Sequence, residues 1–169
     1  MTIDKIYLVG FMASGKSTVA RHLAQRLRWR HEDIDDLVEA RERQRITDIF
    51  AKRGEPYFRS VERDTLKLLL PIREMVVATG GGTFSDPDNR AAMLLDGTVI
   101  WLDVPLAELI PRIPLDGRRP LAADRAALER LYAARVDTYR LAHLRINTSR
   151  LSPGVVAERI LEALAQVGD

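Results

Sequence analysis

The sequence predicts an α/β protein with three layers, in which a five-stranded parallel sheet lies between two layers of helices. Two observations predict this architecture. Short apolar runs alternate with segments of helical periodicity along the 169 residues, an order typical of a parallel sheet covered on both faces. A glycine-rich loop also joins the first apolar run to the first helical segment. We expect residues 1–169 to form a single domain, because this length suits one core.

The glycine-rich loop is the most specific motif in the chain. Residues 10–18 read Gly-Phe-Met-Ala-Ser-Gly-Lys-Ser-Thr and fit G-x-x-x-x-G-K-[ST], the phosphate-binding loop. Its glycines allow successive backbone N–H groups to point at phosphate oxygens. Lys16 would place a charge on the β- and γ-phosphates, and the Ser17 hydroxyl is a ligand for Mg²⁺. A strand over residues 6–9 and a helical face after Lys16 give the loop its expected context.

The other elements follow from periodicity, caps and helix breakers. Gly54 and Pro56 separate two helices, Pro71 closes the second of them, and Ser85 or Asp86 caps a helix that has Pro87 in its first turn. The predicted strands cover residues 30–35, 75–79, 98–103 and 144–148, of which the first has the weakest signal. The other predicted helices cover residues 36–43, 47–53, 56–70, 125–141 and 153–167, and Pro105 opens one more.

Residues 113–124 are predicted to be a loop. The segment contains two prolines, a glycine and the pair Arg118-Arg119. Proline and glycine interrupt helices and strands. A basic loop of this kind is a candidate lid over an anionic ligand.

Two acids, Asp33 and Asp35, follow the weak second strand. At positions i and i+2 they would share a face if the strand persists, at the edge where open α/β sheets bind ligands. One could then orient Mg²⁺ while the other accepts a substrate hydroxyl. The alternative is that both are solvated acids at a strand–helix junction, with Asp36 capping the helix.

Three consecutive glycines, Gly80, Gly81 and Gly82, follow the clearest strand. Each glycine costs about 0.5–1 kcal/mol relative to alanine when it is ordered, which suggests close approach of the backbone to a ligand. The alternative is a flexible strand–helix turn. Asp103 ends another apolar strand and mimics a Walker B acid, but a polar cap at a strand–helix junction is the better interpretation.

Arginines dominate the basic residues and suit carboxylate and phosphate recognition through their planar fork. The alternative for each one singly is a solvated surface charge. The three histidines have no metal-ligand spacing. The candidate arginines are Arg59, Arg112, Arg118, Arg119 and Arg135.

Composition excludes several classes of protein. The net charge is +2, and no basic block of five or more residues occurs, so nucleic-acid binding has little support. The absence of cysteine excludes disulfides and thiolate metal sites. No run of 18 apolar residues and no signal-peptide pattern is present. We therefore expect a cytoplasmic monomer without membrane segments.

Six motifs in this order resemble those of the shikimate kinases, over nearly the whole chain. Individually only the phosphate-binding loop is specific, but the six together and in sequence are specific. The matching positions are the loop at residues 10–17, Asp33-Ile34-Asp35, Ile49-Phe50 with Gly54-Glu55, Phe58-Arg59 and Glu62, Gly80-Gly81-Gly82, Arg119-Pro120-Leu121, and Arg135 with Tyr139 and Ala142.

This resemblance implies transfer of the γ-phosphoryl group of ATP to the 3-hydroxyl of shikimate, with Mg²⁺ as cofactor. It implies that residues 36–70 are substrate-binding helices and that residues 113–124 are the lid of a P-loop kinase fold. It assigns catalysis to Lys16, Asp35 and Arg119. It assigns ATP binding to Ala13, Ser14, Gly15, Lys16, Ser17, Thr18, Arg112 and Arg119. It assigns shikimate binding to Asp35, Arg59, Gly80, Gly81, Gly82 and Arg135, and the metal to Ser17 and Asp33.

The chain departs from the family pattern at Ala13, at His31-Glu32 before the two acids, and at Pro114-Leu115-Asp116-Gly117 in the lid. Two other functions also compete with this interpretation. Ala13 stands where the family commonly has glycine, and alanine fits there without strain only if its φ angle is negative. A kinase of the same fold acting on another polyol, such as gluconate, is the first alternative; the arginine pair together with the glycine turn argues against it. A nucleotide-binding regulatory module is the second, and the presence of Lys16, Asp35 and Arg119 argues against that.

Overall fold

In a computed structural model, residues 2–113 and 124–168 are described. The five strands of this part form one sheet in the order β2-β3-β1-β4-β5, and every neighbouring pair is parallel. The predicted five-stranded parallel sheet is therefore confirmed. The strands are β1 Lys5–Val9, β2 Arg30–Asp33, β3 Met75–Ala78, β4 Thr98–Asp103 and β5 Leu144–Asn147.

Helices cover both faces of the sheet, as predicted. Along β1, Ile6 and Leu8 pack into one buried cluster with α1 and α8, while Tyr7 and Val9 pack into another with α4 and α7. This alternation follows from the two-residue period of a strand. The helices are α1 Lys16–Leu27, α2 Ile34–Glu42, α3 Ile46–Arg53, α4 Glu55–Leu69, α5 Pro87–Asp96, α6 Leu106–Leu109, α7 Arg125–Tyr139 and α8 Pro153–Val167, with 3₁₀ turns at Thr83–Ser85 and Ile110–Arg112.

The prediction that β2 extends to residue 35 is wrong. The strand ends at Asp33, whose side chain accepts a hydrogen bond from the backbone N–H of Asp36 at 3.2 Å and so caps α2. Asp35 lies in the first turn of that helix instead of on the strand, and Asp36 is not the cap. The two acids Asp33 and Asp35 therefore do not share a strand face.

Other caps agree with the sequence. The carboxylate of Asp86 accepts from the N–H groups of Asp88 and Asn89 at 2.8 and 3.2 Å, so Asp86 caps α5 and the alternative, Ser85, does not. Ser152 caps α8 by accepting from Val155. Within the described part of the chain, no helix is long and apolar enough to span a membrane.

The sheet brings the two glycine-rich segments side by side. Because β1 pairs with β3, the loop after β1 and the turn after β3 emerge at the same carboxyl edge. The hydroxyl of Thr79 donates to the carbonyl of Leu8 at 2.9 Å and joins the two strand ends. Residues 114–123 lie outside the described residues, and with them lie Arg118, Arg119 and the body of the predicted lid.

Candidate active site

A cavity of about 850 Å³ opens at the carboxyl edge of the sheet. It brings together nearly all the predicted site residues of the described chain. Ser14 is the exception, because it is buried in the loop and does not line the cavity, and Arg119 is not described. The predicted residues that line the cavity are Ala13, Gly15, Lys16, Ser17, Thr18, Asp33, Asp35, Arg59, Gly80, Gly81, Gly82, Arg112 and Arg135.

The phosphate-binding loop wraps around the Lys16 ammonium group. Its Nζ donates to the carbonyl oxygens of Gly10 and Phe11 at 2.7 and 2.9 Å. Gly10 has no room for a side chain, since a Cβ there would lie 2.8 Å from the Leu102 carbonyl oxygen, and its φ angle is 154°. The loop backbone therefore curls around the lysine, as the motif predicts.

Ala13 does not meet the condition for a relaxed alanine. Its φ angle is +64°, in the left-handed region where a Cβ costs an L-residue about 1–2 kcal/mol. The loop thus holds an alanine in a conformation that favours glycine.

Ser17 and Asp33 form a pair of oxygen ligands beside the loop. The Ser17 hydroxyl donates to Oδ2 of Asp33, while Oδ1 of the same carboxylate caps α2. A hydroxyl and a carboxylate are hard donors that suit Mg²⁺, which is commonly held by one or two protein groups together with phosphates and water. The described residues contain no cluster of three or more acidic, histidine or cysteine ligands. The donor set therefore fits a magnesium ion shared with a nucleotide.

Arg59 and Arg135 converge above Gly82. A Cβ on Gly82 would lie 2.6 Å from both terminal nitrogens of Arg59 and in contact with Nη1 of Arg135. Arg59 reaches this place from α4 and Arg135 from α7. Two guanidinium groups held side by side at one end of a cavity are suited to an anion with two oxygens.

The partners of these two arginines differ. Arg59 donates to Oε1 of Glu62 at 3.0 Å and to Glu55 at 3.3 Å. Burial by itself lowers the pKa of Arg59, but the two carboxylates outweigh it and the pKa is raised. Arg135 donates to Oγ of Ser85 at 2.8 Å and to the Gly81 carbonyl at 3.3 Å. Burial lowers the pKa of Arg135, and the neighbouring Arg59 adds to this. An anion between them would relieve that unfavourable proximity.

The space available for a side chain differs between the glycines of this turn. A Cβ on Gly80 would lie 2.7 Å from Oδ1 of Asp35, so glycine there lets the carboxylate reach the cavity floor. Gly81 has ordinary space, with the Met12 nitrogen 3.5 Å from a Cβ, and contributes its carbonyl oxygen. The structure therefore places Asp35 at the floor from a helix, although the sequence placed it there from a strand.

Several residues that hold the site were not given roles from the sequence. The Tyr139 hydroxyl donates to the Gly81 carbonyl at 2.6 Å. The Thr83 hydroxyl accepts from the Gly80 N–H, and the Ser85 hydroxyl accepts from Arg135. For Tyr139 a signal existed, because it lies four residues after Arg135 and so on the same face of α7. Thr83 and Ser85 gave no signal, since isolated hydroxyl residues in a turn are common.

The residues that the sequence discounted have structural partners. The carboxylate of Asp103 pairs with Arg145, whose Nη2 lies 2.6 Å away, and the Arg145 guanidinium lies over the Trp101 ring. The ring nitrogen Nδ1 of His143 accepts from the Val99 N–H at 3.0 Å. These contacts link β4 to β5 and the residue before it.

Comparison with known proteins decides the family. The shikimate kinase family model matches residues 12–165. The chain belongs to the shikimate kinase family. The shikimate kinase of Sulfurihydrogenibium sp. (strain YO3AOP1) is 42% identical over 160 residues, which cover 94% of this chain and 96% of that protein. The shikimate kinase of Synechococcus elongatus is 41% identical over 166 residues, covering 96% of this chain and 87% of that protein.

Solved structures agree with this assignment. The shikimate kinase of Acinetobacter baumannii in complex with shikimate has a TM-score of 0.93 and 35% identity, covering 98% of this chain and 94% of that one. A deoxyadenosine kinase from M. mycoides, at 17% identity, has a TM-score of 0.63, covers 95% of this chain and 99% of that one, and shares the fold alone. The expected family, the P-loop kinase fold and the kinase class are thereby confirmed.

Proposed function

We propose that the chain transfers the γ-phosphoryl group of ATP to the 3-hydroxyl of shikimate and that the cavity holds both substrates. The observation that carries this proposal is the convergence of Arg59 and Arg135 above Gly82, in the same cavity as Lys16 of the phosphate-binding loop. Such an arrangement offers one place for a carboxylate and another for phosphates.

The acceptor would lie on the floor of the glycine turn. Arg59 and Arg135 grip its carboxylate, because two guanidinium forks offer paired donors to two oxygens. Asp35, which approaches Gly80, accepts the hydrogen bond of the reacting hydroxyl. The absence of side chains in the turn lets the ring approach the backbone, and residues 36–70 supply the walls of this half of the cavity.

The donor would lie on the phosphate-binding loop. Its N–H groups and Lys16 hold the phosphates, Ser17 and Asp33 hold Mg²⁺, and Arg112, which lines the cavity, lies near the base. An Mg²⁺ ion held there would supply positive charge that offsets the charge of the phosphates. Arg119 belongs to the segment outside the described residues and keeps the role that the family resemblance implies, stabilisation of the transferred group under a closed lid.

Transfer requires positioning more than a strong base. The acceptor oxygen forms a bond to the γ-phosphorus as the bond to the β–γ bridging oxygen breaks, ADP leaves, and Asp35 takes the hydroxyl proton. The transition state is loose, so alignment and charge stabilisation supply most of the rate. Asp35 for alignment and Lys16 with Arg119 for charge are adequate to that task.

A paired glycine substitution tests the acceptor site. Gly82 has a φ of −108° that alanine can adopt, so Gly82→Ala adds only a methyl group where both guanidiniums lie. We expect the KM for shikimate to rise at least about tenfold while the KM for ATP stays within twofold. Gly154→Ala is the control and should behave as wild type, since a Cβ at Gly154 in α8 would meet no atom within 4 Å.

The assay should couple ADP release to a panel of shikimate, gluconate and nucleoside monophosphates with ATP and Mg²⁺. Preference for gluconate or a nucleoside monophosphate by the unsubstituted protein would reject shikimate as the substrate. An equal rise in both KM values in Gly82→Ala would instead show that the arginine pair does not hold the acceptor.

A further inference from the structure

We propose that Thr83 is a positioning residue for the acceptor pocket, whose hydroxyl fixes Glu62 and, through Glu62, keeps Arg59 turned toward Arg135. The inference rests on the proposed function, since it deepens the account of the same carboxylate site. Thr83 acts through other residues and is not itself among those lining the cavity.

Thr83 and Glu62 form a buried polar contact beneath the site. Both residues are 0% exposed. The Thr83 hydroxyl lies 2.9 Å from the backbone nitrogen of Gly80 and 2.9 Å from Oε2 of Glu62. A buried polar contact of this kind is costly when one partner is removed, so it constrains all three groups.

The direction of these hydrogen bonds is determined by the chemistry of the groups. A backbone N–H can only donate, so the Thr83 oxygen accepts from Gly80, and its single proton is directed to Glu62. The other oxygen of Glu62 accepts from Nη1 of Arg59 at 3.0 Å. Each carboxylate oxygen therefore has its own donor, which fixes the plane of the group.

This arrangement limits how Arg59 can bind Glu62. A carboxylate with two open oxygens takes an arginine in a paired, fork-to-fork contact. The Thr83 hydroxyl occupies Oε2, so Glu62 contacts Arg59 through Oε1. The rest of the guanidinium reaches Glu55, which is partly exposed, and the position above Gly82. Without the hydroxyl, Oε2 would attract a second N–H of Arg59 and turn the guanidinium away from Arg135.

The same hydroxyl also supports the opposite side of the pocket. Gly80 is the turn residue that Asp35 approaches most closely, and its N–H is held by Thr83. One buried oxygen thus links the turn under Asp35 to the carboxylate that orients Arg59. The expected consequence of losing it is weaker binding of the acceptor, with the nucleotide half of the cavity unaffected.

Thr83→Val tests the inference, because valine keeps the shape of threonine and removes the hydroxyl. We expect the dissociation constant and KM for shikimate to rise about tenfold, equal to about 1.4 kcal/mol. The kcat and the affinity for a non-hydrolysable ATP analogue with Mg²⁺ should stay within twofold. Thr83→Ser, which retains the hydroxyl, should bind shikimate with an affinity within about threefold of wild type.

Thr65→Val is the matched control. Thr65 is also buried in this region, but its hydroxyl donates only to the Val61 carbonyl within α4, at 2.7 Å. Calorimetric titrations of the four proteins with shikimate and with the nucleotide analogue, together with steady-state kinetics, give the comparison. Thermal unfolding reports which variants are folded.

The outcomes separate the two proposals. Wild-type shikimate affinity in folded Thr83→Val, equal losses in Thr83→Ser and Thr83→Val, or a parallel loss of nucleotide affinity would each overturn the role of Thr83. If Thr83→Val does not fold, Thr83→Cys replaces it. A shikimate affinity weaker than that of Thr83→Ser, by up to tenfold relative to wild type, supports the role. A shikimate affinity equal to that of wild type overturns it. Failure of the unsubstituted protein to bind shikimate would reject the proposed function itself.

Discussion

The two ends of β1 hold buried lysines in different surroundings. Lys5, at the amino end, is 0% exposed and binds Asp96 at 3.1 Å and the carbonyl oxygens of Leu69 and Leu70. Lys16, after the carboxyl end, is 8% exposed and binds carbonyl oxygens of its own loop beside an open cavity. The first lysine is fixed by residues distant in sequence, and the second by a local loop that phosphates can also enter.

At the amino end of β1, Asp96 forms a closed cluster with Lys5, Tyr7 and Arg73. Its carboxylate accepts from the Tyr7 hydroxyl at 2.5 Å and also pairs with Arg73. Burial raises the pKa of Tyr7 well above its usual range, and the bond to Asp96 adds to this. The comparison teaches that a buried charge surrounded by protein donors and acceptors contributes to the fold, whereas one at a cavity contributes to binding.

Lys5→Met should give the largest effect, and the effect should be on stability. Removing one partner of a buried ion pair typically costs about 3–5 kcal/mol. Here the mostly buried Asp96 carboxylate and the Leu69 carbonyl both lose the ammonium group. Urea unfolding measures the loss, and kcat per folded molecule should remain at the wild-type value. An unfolding free energy within about 1 kcal/mol of wild type would contradict a structural role for Lys5.

Lys16→Met should instead lower the catalytic rate and leave stability nearly unchanged. Deletion of one charge directed at a transition state typically costs about 2.7–4 kcal/mol, or roughly 10²–10³ in kcat. The melting temperature should change little, since the bonds lost are local. Activity within threefold of wild type would remove Lys16 from the catalytic group, and a melting temperature as low as that of Lys5→Met would erase the contrast between the two ends.

The acid side of the stability curve tests the closed cluster independently. Burial alone would raise the pKa of Asp96, but the bonds from Tyr7, Arg73 and Lys5 outweigh it and the pKa is lowered. A carboxyl group with a depressed pKa contributes stability above the unfolded value of about 3.9 and loses it as the pH falls through the folded value. Asp96→Asn should therefore flatten part of the stability loss below about pH 4. Urea unfolding from pH 3 to pH 7 measures this, and an unchanged slope would reject it.

Ala13→Gly should give the smallest effect and reports on the backbone of the open end. Glycine relieves the left-handed φ of +64° but is more flexible when unfolded, so we expect a net gain of up to about 1 kcal/mol. Ala40→Gly, at an exposed position within α2, is the control and should lose about 1 kcal/mol. Two losses of equal size would show that Ala13 is unstrained. Nucleotide affinity should change less than twofold in both variants.

The sequence predicted the sheet, the phosphate-binding loop and the family because these depend on local patterns. β4 was predicted with the bounds that the structure has, since six consecutive residues from Thr98 to Asp103 are apolar or β-branched until the last. The Asp35 prediction failed in its element, although not in its place at the cavity. A side-chain cap from Asp33 ended the strand two residues early, and caps compete with strand continuation within one or two residues.

The closed cluster and the supports of the glycine turn could not be predicted in this way. Lys5 and Asp96 are 91 positions apart, and the contact between Thr83 and Glu62 spans 21. Such contacts arise from the packing of α4 and α5 around the sheet, which no local spacing encodes. Tyr7 looked like one more apolar strand residue, because its hydroxyl partner lies far along the chain.

Helix α7 runs from the end of the predicted lid segment to the glycine turn. It begins where the predicted lid ends, with Asp124 as its cap, and its last two turns carry Arg135 and Tyr139, which bind the Gly81 carbonyl. Its 15 residues span about 22 Å at 1.5 Å per residue. A spectroscopic label at the exposed position of Arg125 would therefore lie at the lid end of one continuous helix, whose other end contacts the glycine turn. A signal change on adding the acceptor would then report its binding from a position outside both substrate sites.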